Sequence, residues 1–355
     1  PMIITDALAS WNALHSWNKD FFSTHFGQER ATAKGQLDSD SPDSFALPLR
    51  MFAKHSHEGH PDAWTYLQDE LFIPSHPSLL KDLQPTPSAL QHDWFSYLPK
   101  SIRPHHAFLL WGTAFSRSTL HIDPYNWTGT NALLYGSKSW KFIPPNQDHN
   151  VYPIVGATCG SPLDCFKYQS KVDAFNIDLV KYPNFSKVKV IDAHQIAGEL
   201  VIIPPGWYHQ VLNPEESIAV ASQIWNDDSF DISLEEIMKY PSNVDINQMP
   251  NEIERRAMSN SEKFQALIKA IPRRVFEEAE DRLEDALKKI QGRTRKGTGG
   301  LNSNSKKATT SKKRRSGNDD SRHDDSRLEG ETKRVPQRKK QGKRKKKKSR
   351  KQKRR

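Results

Sequence analysis

His121-Ile122-Asp123, followed 86 positions after Asp123 by His209, offers two imidazoles and one carboxylate that could hold a single metal ion. Three such ligands on one face of a redox-active metal leave the opposite face open, which is the facial arrangement of non-haem Fe(II) oxygenases. In an extended strand alternate side chains share a face, so His121 and Asp123 are expected to point together. His209 must then come from a neighbouring strand, and barrel closure makes the long gap harmless. H-x-D alone is a weak signal. Its surroundings sharpen it, because Ser118-Thr119-Leu120-His121-Ile122-Asp123-Pro124 and Pro204-Pro205-Gly206-Trp207-Tyr208-His209-Gln210-Val211-Leu212-Asn213 both read as strand-like.

The elements that must position these ligands follow from hydropathy. Short apolar or alternating runs bounded by Gly, Pro or Asn cover 106–111, 131–135, 139–143, 187–191, 199–203, 208–212 and 217–225. Regular short strands with turn residues between them predict an antiparallel sandwich or barrel. Residues 144–183 carry few strand signals and read as a long insertion. Upstream, Trp11, Leu14, Trp17 and Phe21-Phe22 recur at helical spacing. His55, His57 and His60 form an H-x-H-x-x-H cluster that reads as a polar loop more readily than as a metal site. After Asp227 the pattern turns helical. Val275, Phe276, Ala279, Leu283, Ala286, Leu287 and Ile290 share one helical face, which must bury against the same chain or a second copy. Trp111, Trp140, Trp207 and Trp225 read as packing residues. Tyr125, Asn126 and Trp127 read as a substrate entrance or a filled loop.

Charge divides the chain. Residues 291–355 hold 27 Lys+Arg against 6 Asp+Glu, a formal +21, which leaves −10 on residues 1–290 given the chain's +11. The tail includes Lys312-Lys313-Arg314-Arg315 and Lys343-Arg344-Lys345-Lys346-Lys347-Lys348. With almost no large apolar side chains it cannot offset its ordering entropy and is expected to be disordered. Such runs read as nuclear localisation or nucleic-acid contacts, phosphate-driven and without aromatic stacking. Two cysteines, Cys159 and Cys165, make no disulfide framework and suit a reducing compartment. The start Pro1-Met2-Ile3-Ile4 has no cationic lead into an apolar core, so no secretory signal is expected, and a start at Pro suggests truncation or processing. No apolar run approaches bilayer length, so no membrane partner is expected.

At the motif level, the chain resembles the JmjC family of Fe(II)- and 2-oxoglutarate-dependent oxygenases, in its protein-hydroxylase-like branch. The matching segments are Tyr66-Leu67-Gln68-Asp69, His121-Ile122-Asp123-Pro124, Asn131 to Trp140, Tyr182-Pro183-Asn184-Phe185 and Gly198 to His209, spread from about Tyr66 to Trp225. The resemblance implies a mainly β double-stranded β-helix (a jelly roll or cupin fold). Together with the patterns above, it divides the chain into an N-terminal helical and loop region over 1–62 packing on the barrel, a catalytic barrel over 63–230, C-terminal helices over 231–290 and the disordered tail over 291–355. It assigns His121, Asp123 and His209 to the iron, Lys138 to the distal carboxylate of 2-oxoglutarate, and Asn131, Ser118 and Tyr66 to further cosubstrate contacts. Thr119 competes with Ser118 if the register slips by one. The family often has a polar contact where Ala221 stands, which leaves that contact to a neighbour or missing.

The reaction implied by the resemblance converts 2-oxoglutarate and dioxygen to succinate and carbon dioxide while a substrate C–H bond gains a hydroxyl. On a side-chain carbon the product is a stable alcohol; on an N-methyl group it is a hemiaminal that loses formaldehyde. Three readings follow. The first is a protein hydroxylase in the nucleus, the nucleolus included, acting on a protein or peptide such as a histone or an RNA-associated protein. The second is a histone N-methyl-lysine or N-methyl-arginine demethylase. The third is a non-catalytic cupin scaffold tethered to RNA or chromatin. Nucleic acid would bind through 291–355, and a homodimer would form through 262–290.

Overall fold

A computed structural model of the protein describes residues 1–37, 43–154, 169–239, 243–281 and 284. Among the described residues eleven strands form the frame: β1 (Met2–Ile4), β2 (Arg30–Leu37), β3 (Asp43–Pro48), β4 (Ala63–Asp69), β5 (Phe108–Gly112), β6 (Thr128–Tyr135), β7 (Ser137–Ile143), β8 (Ile191–Ile196), β9 (Leu200–Ile203), β10 (Tyr208–Leu212) and β11 (Ser217–Ile224). Eight of them make one sheet in the order β1-β9-β6-β11-β5-β4-β2-β3, and β10-β7-β8 make a second. The pairings between these strands are antiparallel. The second sheet is extended by the irregular stretch before the metal motif. Ser118 N–H donates to the Val211 carbonyl at 3.0 Å, and His121 and His209 exchange both backbone hydrogen bonds at 3.1 and 2.8 Å. That bridge carries two of the three presumptive ligands onto neighbouring backbones.

The strand expectations at 131–135, 139–143, 199–203, 208–212 and 217–225 coincide with β6, β7, β9, β10 and β11 within a few residues. Two differ. The run at 187–191 gives way to β8 at Ile191–Ile196, because Pro183–Lys187 is used in a 3₁₀ turn that buries Phe185. β8 pairs only with β7, so most of its side chains face outward and its sequence shows little apolar alternation. The N-terminal segment, read as helices and loops packed on the barrel, also supplies β1, β2 and β3 to the main sheet. The described part of β2 buries only small side chains, Ala31 and Ala33 at 0%, and small residues give little strand signal.

Buried aromatic and aliphatic side chains hold two layers against the main sheet. One cluster joins Leu8, Trp11, Trp17, Phe22 and Phe52 to Leu67, Leu109, Trp111 and Ile218. The other joins Phe95, Trp127 and Trp225 to Phe230, Leu234, Phe264, Leu267 and Val275. Phe264 and Leu267 lie on the helix Asn260–Ala270, whose start is fixed by a capping box between Ser259 and Glu262. After Pro272 a further helical stretch covers 273–281. The apolar face predicted there is used within the chain, since Val275 is buried and Phe276 and Ala279 pack on the same cluster. Leu283, Ala286, Leu287 and Ile290, the tail 291–355, and Cys159 and Cys165 lie outside the described residues. Among the described residues no helix is long and apolar enough to cross a membrane.

Candidate active site

His121, Asp123 and His209 offer ligand atoms that all lie within 4.8 Å of one another. Each histidine Nε2 is 3.7 Å from Asp123 Oδ1, and the ring centroids are 4.3 Å apart. The backbone orients both rings in the same way. His121 Nδ1 lies 2.8 Å from the Thr119 carbonyl and His209 Nδ1 lies 3.2 Å from the Trp207 carbonyl. A ring nitrogen that donates to a carbonyl fixes the tautomer and leaves the other nitrogen as a lone-pair donor. Thr119 thus contributes through its carbonyl, whereas Ser118 is the one that lines the cavity.

Electrostatics favour a bound cation. Burial, aided by the neighbouring His209, pushes His121 down to about 3 against the pull of the Thr119 carbonyl, so the ring is neutral and available to a metal at neutral pH. Burial pushes the Asp123 carboxyl up, a penalty that a divalent ion in contact would remove. The chain reverses sharply after Asp123: Tyr125 and Asn126 adopt left-handed backbone, with φ of 54° and 52°. Strained backbone at non-glycine residues concentrates at functional sites. The turn brings β6 so close to the carboxylate that a Cβ on Gly129 would lie 2.0 Å from Asp123 Oδ2. Only glycine leaves Asp123 where it is. The donor set, two imidazoles and a carboxylate, fits Fe(II).

A second polar cluster lies deeper. Lys138 is fully buried, and its ammonium donates to Asn213 Oδ1 at 2.7 Å, Tyr66 Oη at 3.1 Å and Ser217 Oγ at 3.4 Å. Asn213 is held in turn by Ser116 and Ser217. Gly112 makes room, since a Cβ there would lie 2.2 Å from Asn213 Nδ2. All the oxygens that meet Lys138 are neutral, and burial alone brings its pKa down to about 7. A buried ammonium without an anion calls for one. Tyr66, whose hydroxyl accepts from Lys138, lines the cavity in front of it. The Tyr66 hydroxyl also hydrogen-bonds with Asn213, so it joins the Lys138 cluster to the cavity. Burial also pushes the Tyr66 phenol up, so it stays protonated.

The triad and, of the Lys138 cluster, Tyr66 open onto one cavity of about 690 Å³, which Ser118 and Asn131 also line. Asn131 is buried with its Oδ1 unpartnered, a polar atom left for a ligand. Ser118 Oγ accepts from the Val211 N–H at 3.1 Å. Ala221 lines the cavity opposite Asn131 and Phe108 in the sheet, with Ser222 and Gln223 beside it. Ser222 Oγ is used by the Ala107 N–H, and the Gln223 amide by the His105 carbonyl. The histidine cluster at 55–60 forms no metal site among the described residues; His55 and His57 lie beside Glu58, and His60 beside Asp62. Sequence reading missed Asn213, Ser116 and Ser217, whose only signal is position: Asn213 follows β10, Ser217 opens β11 and Ser116 lies between β5 and the metal motif.

The fold and the cavity define a cupin, and comparison with known proteins agrees. A family model described as a cupin-like domain matches residues 1–232, and the chain belongs to that family. It is 27% identical to the lysine-specific demethylase JMJ21 of Arabidopsis thaliana over 65% of this chain and 24% of the relative. It is 26% identical to the human bifunctional peptidase and (3S)-lysyl hydroxylase JMJD7 over 65% of this chain and 78% of the relative. It is 28% identical to the 2-oxoglutarate and iron-dependent oxygenase JMJD4 of Gallus gallus over 44% of this chain and 34% of the relative. For five of the curated relatives it matches, the chain spans only 24% to 54% of their length. The resemblance to JmjC oxygenases drawn from the motifs therefore holds across the matched region.

Proposed function

We propose that the chain is an Fe(II)- and 2-oxoglutarate-dependent oxygenase that hydroxylates a side chain of a protein substrate. The observation that carries this reading is the convergence of His121, Asp123 and His209 beside a buried lysine that lacks an anion. In this reading the two histidines and Asp123 hold the metal, and Tyr66, Asn131 and Ser118 hold the keto acid. Lys138 neutralises the distal carboxylate from behind Tyr66. Bound iron and 2-oxoglutarate supply the oxidising power for C–H hydroxylation. The protein's part is geometric. Carbonyls of Thr119 and Trp207 aim the imidazoles, Gly129 seats the carboxylate, and the apolar walls exclude water.

Succinate release from 2-oxoglutarate with candidate peptides tests the activity, and mass spectrometry tests its outcome. One oxygen retained on the peptide supports hydroxylation; absence of succinate with every peptide favours the scaffold reading. A second outcome, demethylation, is favoured by the name of the Arabidopsis relative. It would release formaldehyde and leave no added oxygen.

The basic tail supports a nuclear location and contact with nucleic acid through 291–355. Deleting 291–355 is expected to leave turnover intact and to disperse the protein from the nucleus; retained nuclear enrichment would remove the tail's proposed role. A homodimer through 262–290 is the less supported proposal, because the described part of that face is already covered within the chain.

A further inference from the structure

Gln195 is a buried amide on a strand that otherwise faces water. Of the residues of β8 it alone is fully buried, at 0% exposed. Its side chain is hydrogen-bonded to three partners. Oε1 accepts from the Trp140 indole N–H at 3.0 Å, and Nε2 donates to the Asn131 carbonyl at 2.9 Å and the Glu199 carbonyl at 3.0 Å. An indole N–H only donates and a carbonyl only accepts, so the amide has one orientation here. Its partners lie on both sheets, Trp140 on β7 and Asn131 on β6. Both line the cavity onto which the triad opens. Trp140 stands two residues beyond Lys138 on the same buried face of β7, and its ring centroid is 6.3 Å from that of His209. It thus belongs to the wall that runs from the Lys138 nest to the metal ligands, the stretch that a keto acid joining the two must cross. Asn131 brings its unpartnered Oδ1 to the same cavity.

We propose that Gln195 is a positioning residue for the keto-acid seat. One amide ties the Trp140 wall to the backbone that carries Asn131, so the two sheets hold the seat at a fixed width. The proposal rests on the oxygenase reading for its consequence, but the tie itself does not need the metal. An apolar residue at 195 would leave the Trp140 N–H and the Asn131 carbonyl buried without this partner, and both groups would shift to find another. None of the Gln195 side-chain hydrogen bonds reaches His121, Asp123 or His209, so their loss should spare the metal.

The test uses the full chain with Gln195→Met, which keeps the reach of the side chain and removes its amide hydrogen bonds. In the metal-free variant the Trp140 indole N–H should lose its protection from hydrogen exchange, followed by NMR. Mn(II) affinity, followed by electron paramagnetic resonance, should stay as in wild type. The affinity of the Mn(II)-loaded variant for 2-oxoglutarate, measured by calorimetry, should fall about tenfold or more, as expected when a group that orients a site is removed. Gln195→Glu is the second variant if the first does not fold. It keeps an acceptor for Trp140 but has no amide protons for Asn131 and Glu199, so the indole should stay protected while 2-oxoglutarate still binds about tenfold more weakly. A merely structural role would lower unfolding stability and leave the 2-oxoglutarate affinity of a folded variant unchanged, and that result would overturn the proposal. Equal losses of Mn(II) and 2-oxoglutarate affinity would overturn it too, as would an indole N–H as protected in Gln195→Met as in wild type. Wild-type protein that takes up neither Mn(II) nor 2-oxoglutarate would instead remove the oxygenase reading, and the proposal with it.

Discussion

The triad, half-buried at His121 and Asp123, and the fully buried Lys138 nest are both polar clusters, and each is incomplete in the opposite sense. The triad gathers two imidazole nitrogen donors and a carboxylate that burial penalises. The nest gathers neutral oxygens around an ammonium that burial also penalises, with no anion among them. Either cluster alone would be an expensive way to build a core. Side by side on one cavity, they are complementary to a metal cation chelated by a dicarboxylate. The difference teaches that mutating the triad should cost the metal, whereas mutating the nest should cost the keto acid.

Removing a triad ligand should have the largest effect. His121→Ala or Asp123→Ala is expected to lower Fe(II) affinity by more than about 100-fold, beyond the loss from orienting groups, and to abolish 2-oxoglutarate turnover. Metal titration and succinate release check this, with circular dichroism to confirm that the barrel persists. Unchanged affinity would break the comparison on the triad side.

Lys138→Met should split two properties that usually move together. Without cosubstrate the variant is expected to lose no stability, because removing a desolvated charge offsets the hydrogen bonds lost to Asn213, Tyr66 and Ser217. Its 2-oxoglutarate affinity should fall by about 10–100-fold, since a desolvated carboxylate loses its charge partner. Denaturant unfolding and calorimetry read the two. A loss of stability together with unaltered affinity would show that the nest is structural.

Gly129→Ala sharpens the triad side. The new Cβ must displace the Asp123 carboxylate, so metal affinity should fall by about 10–100-fold with little loss of stability.

The smallest effect concerns pH. Lys138 has a folded-state pKa near 7, below its ordinary 10.5. Above about 7 the ligand-free nest is neutral, so binding the dianion should draw in a proton. Calorimetry in buffers of different ionisation enthalpy would report that uptake at pH 8 and little of it at pH 6. The sign for stability follows from linkage. Between about 7 and 10.5 the unfolded chain binds the extra proton, so this group's burial penalty is full below 7 and eases as pH rises through that window.

How much of this could be read beforehand depended on where the signal lies. His121 and Asp123 were legible because ligand type and strand alternation act locally, and His209 because a Pro-Pro-Gly turn marks its strand. Lys138, Tyr66, Asn131 and Ser118 came from resemblance alone. Asn213, Ser116 and Ser217 were not legible, since an amide and two hydroxyls beside turns carry no periodicity; only the folded chain shows that they surround Lys138. The same limit hid β2, with its small buried residues, and the offset of β8, an edge strand that shows water most of its side chains.

Crystals grown with Mn(II) and 2-oxoglutarate, with anomalous diffraction at the manganese edge, address the central claim most directly. One ion bonded to His121 Nε2, His209 Nε2 and the Asp123 carboxylate, with the keto acid's distal carboxylate against Tyr66 and Lys138, is the predicted result. An ion bound elsewhere, or a keto acid whose distal carboxylate avoids the Lys138 nest, would contradict it.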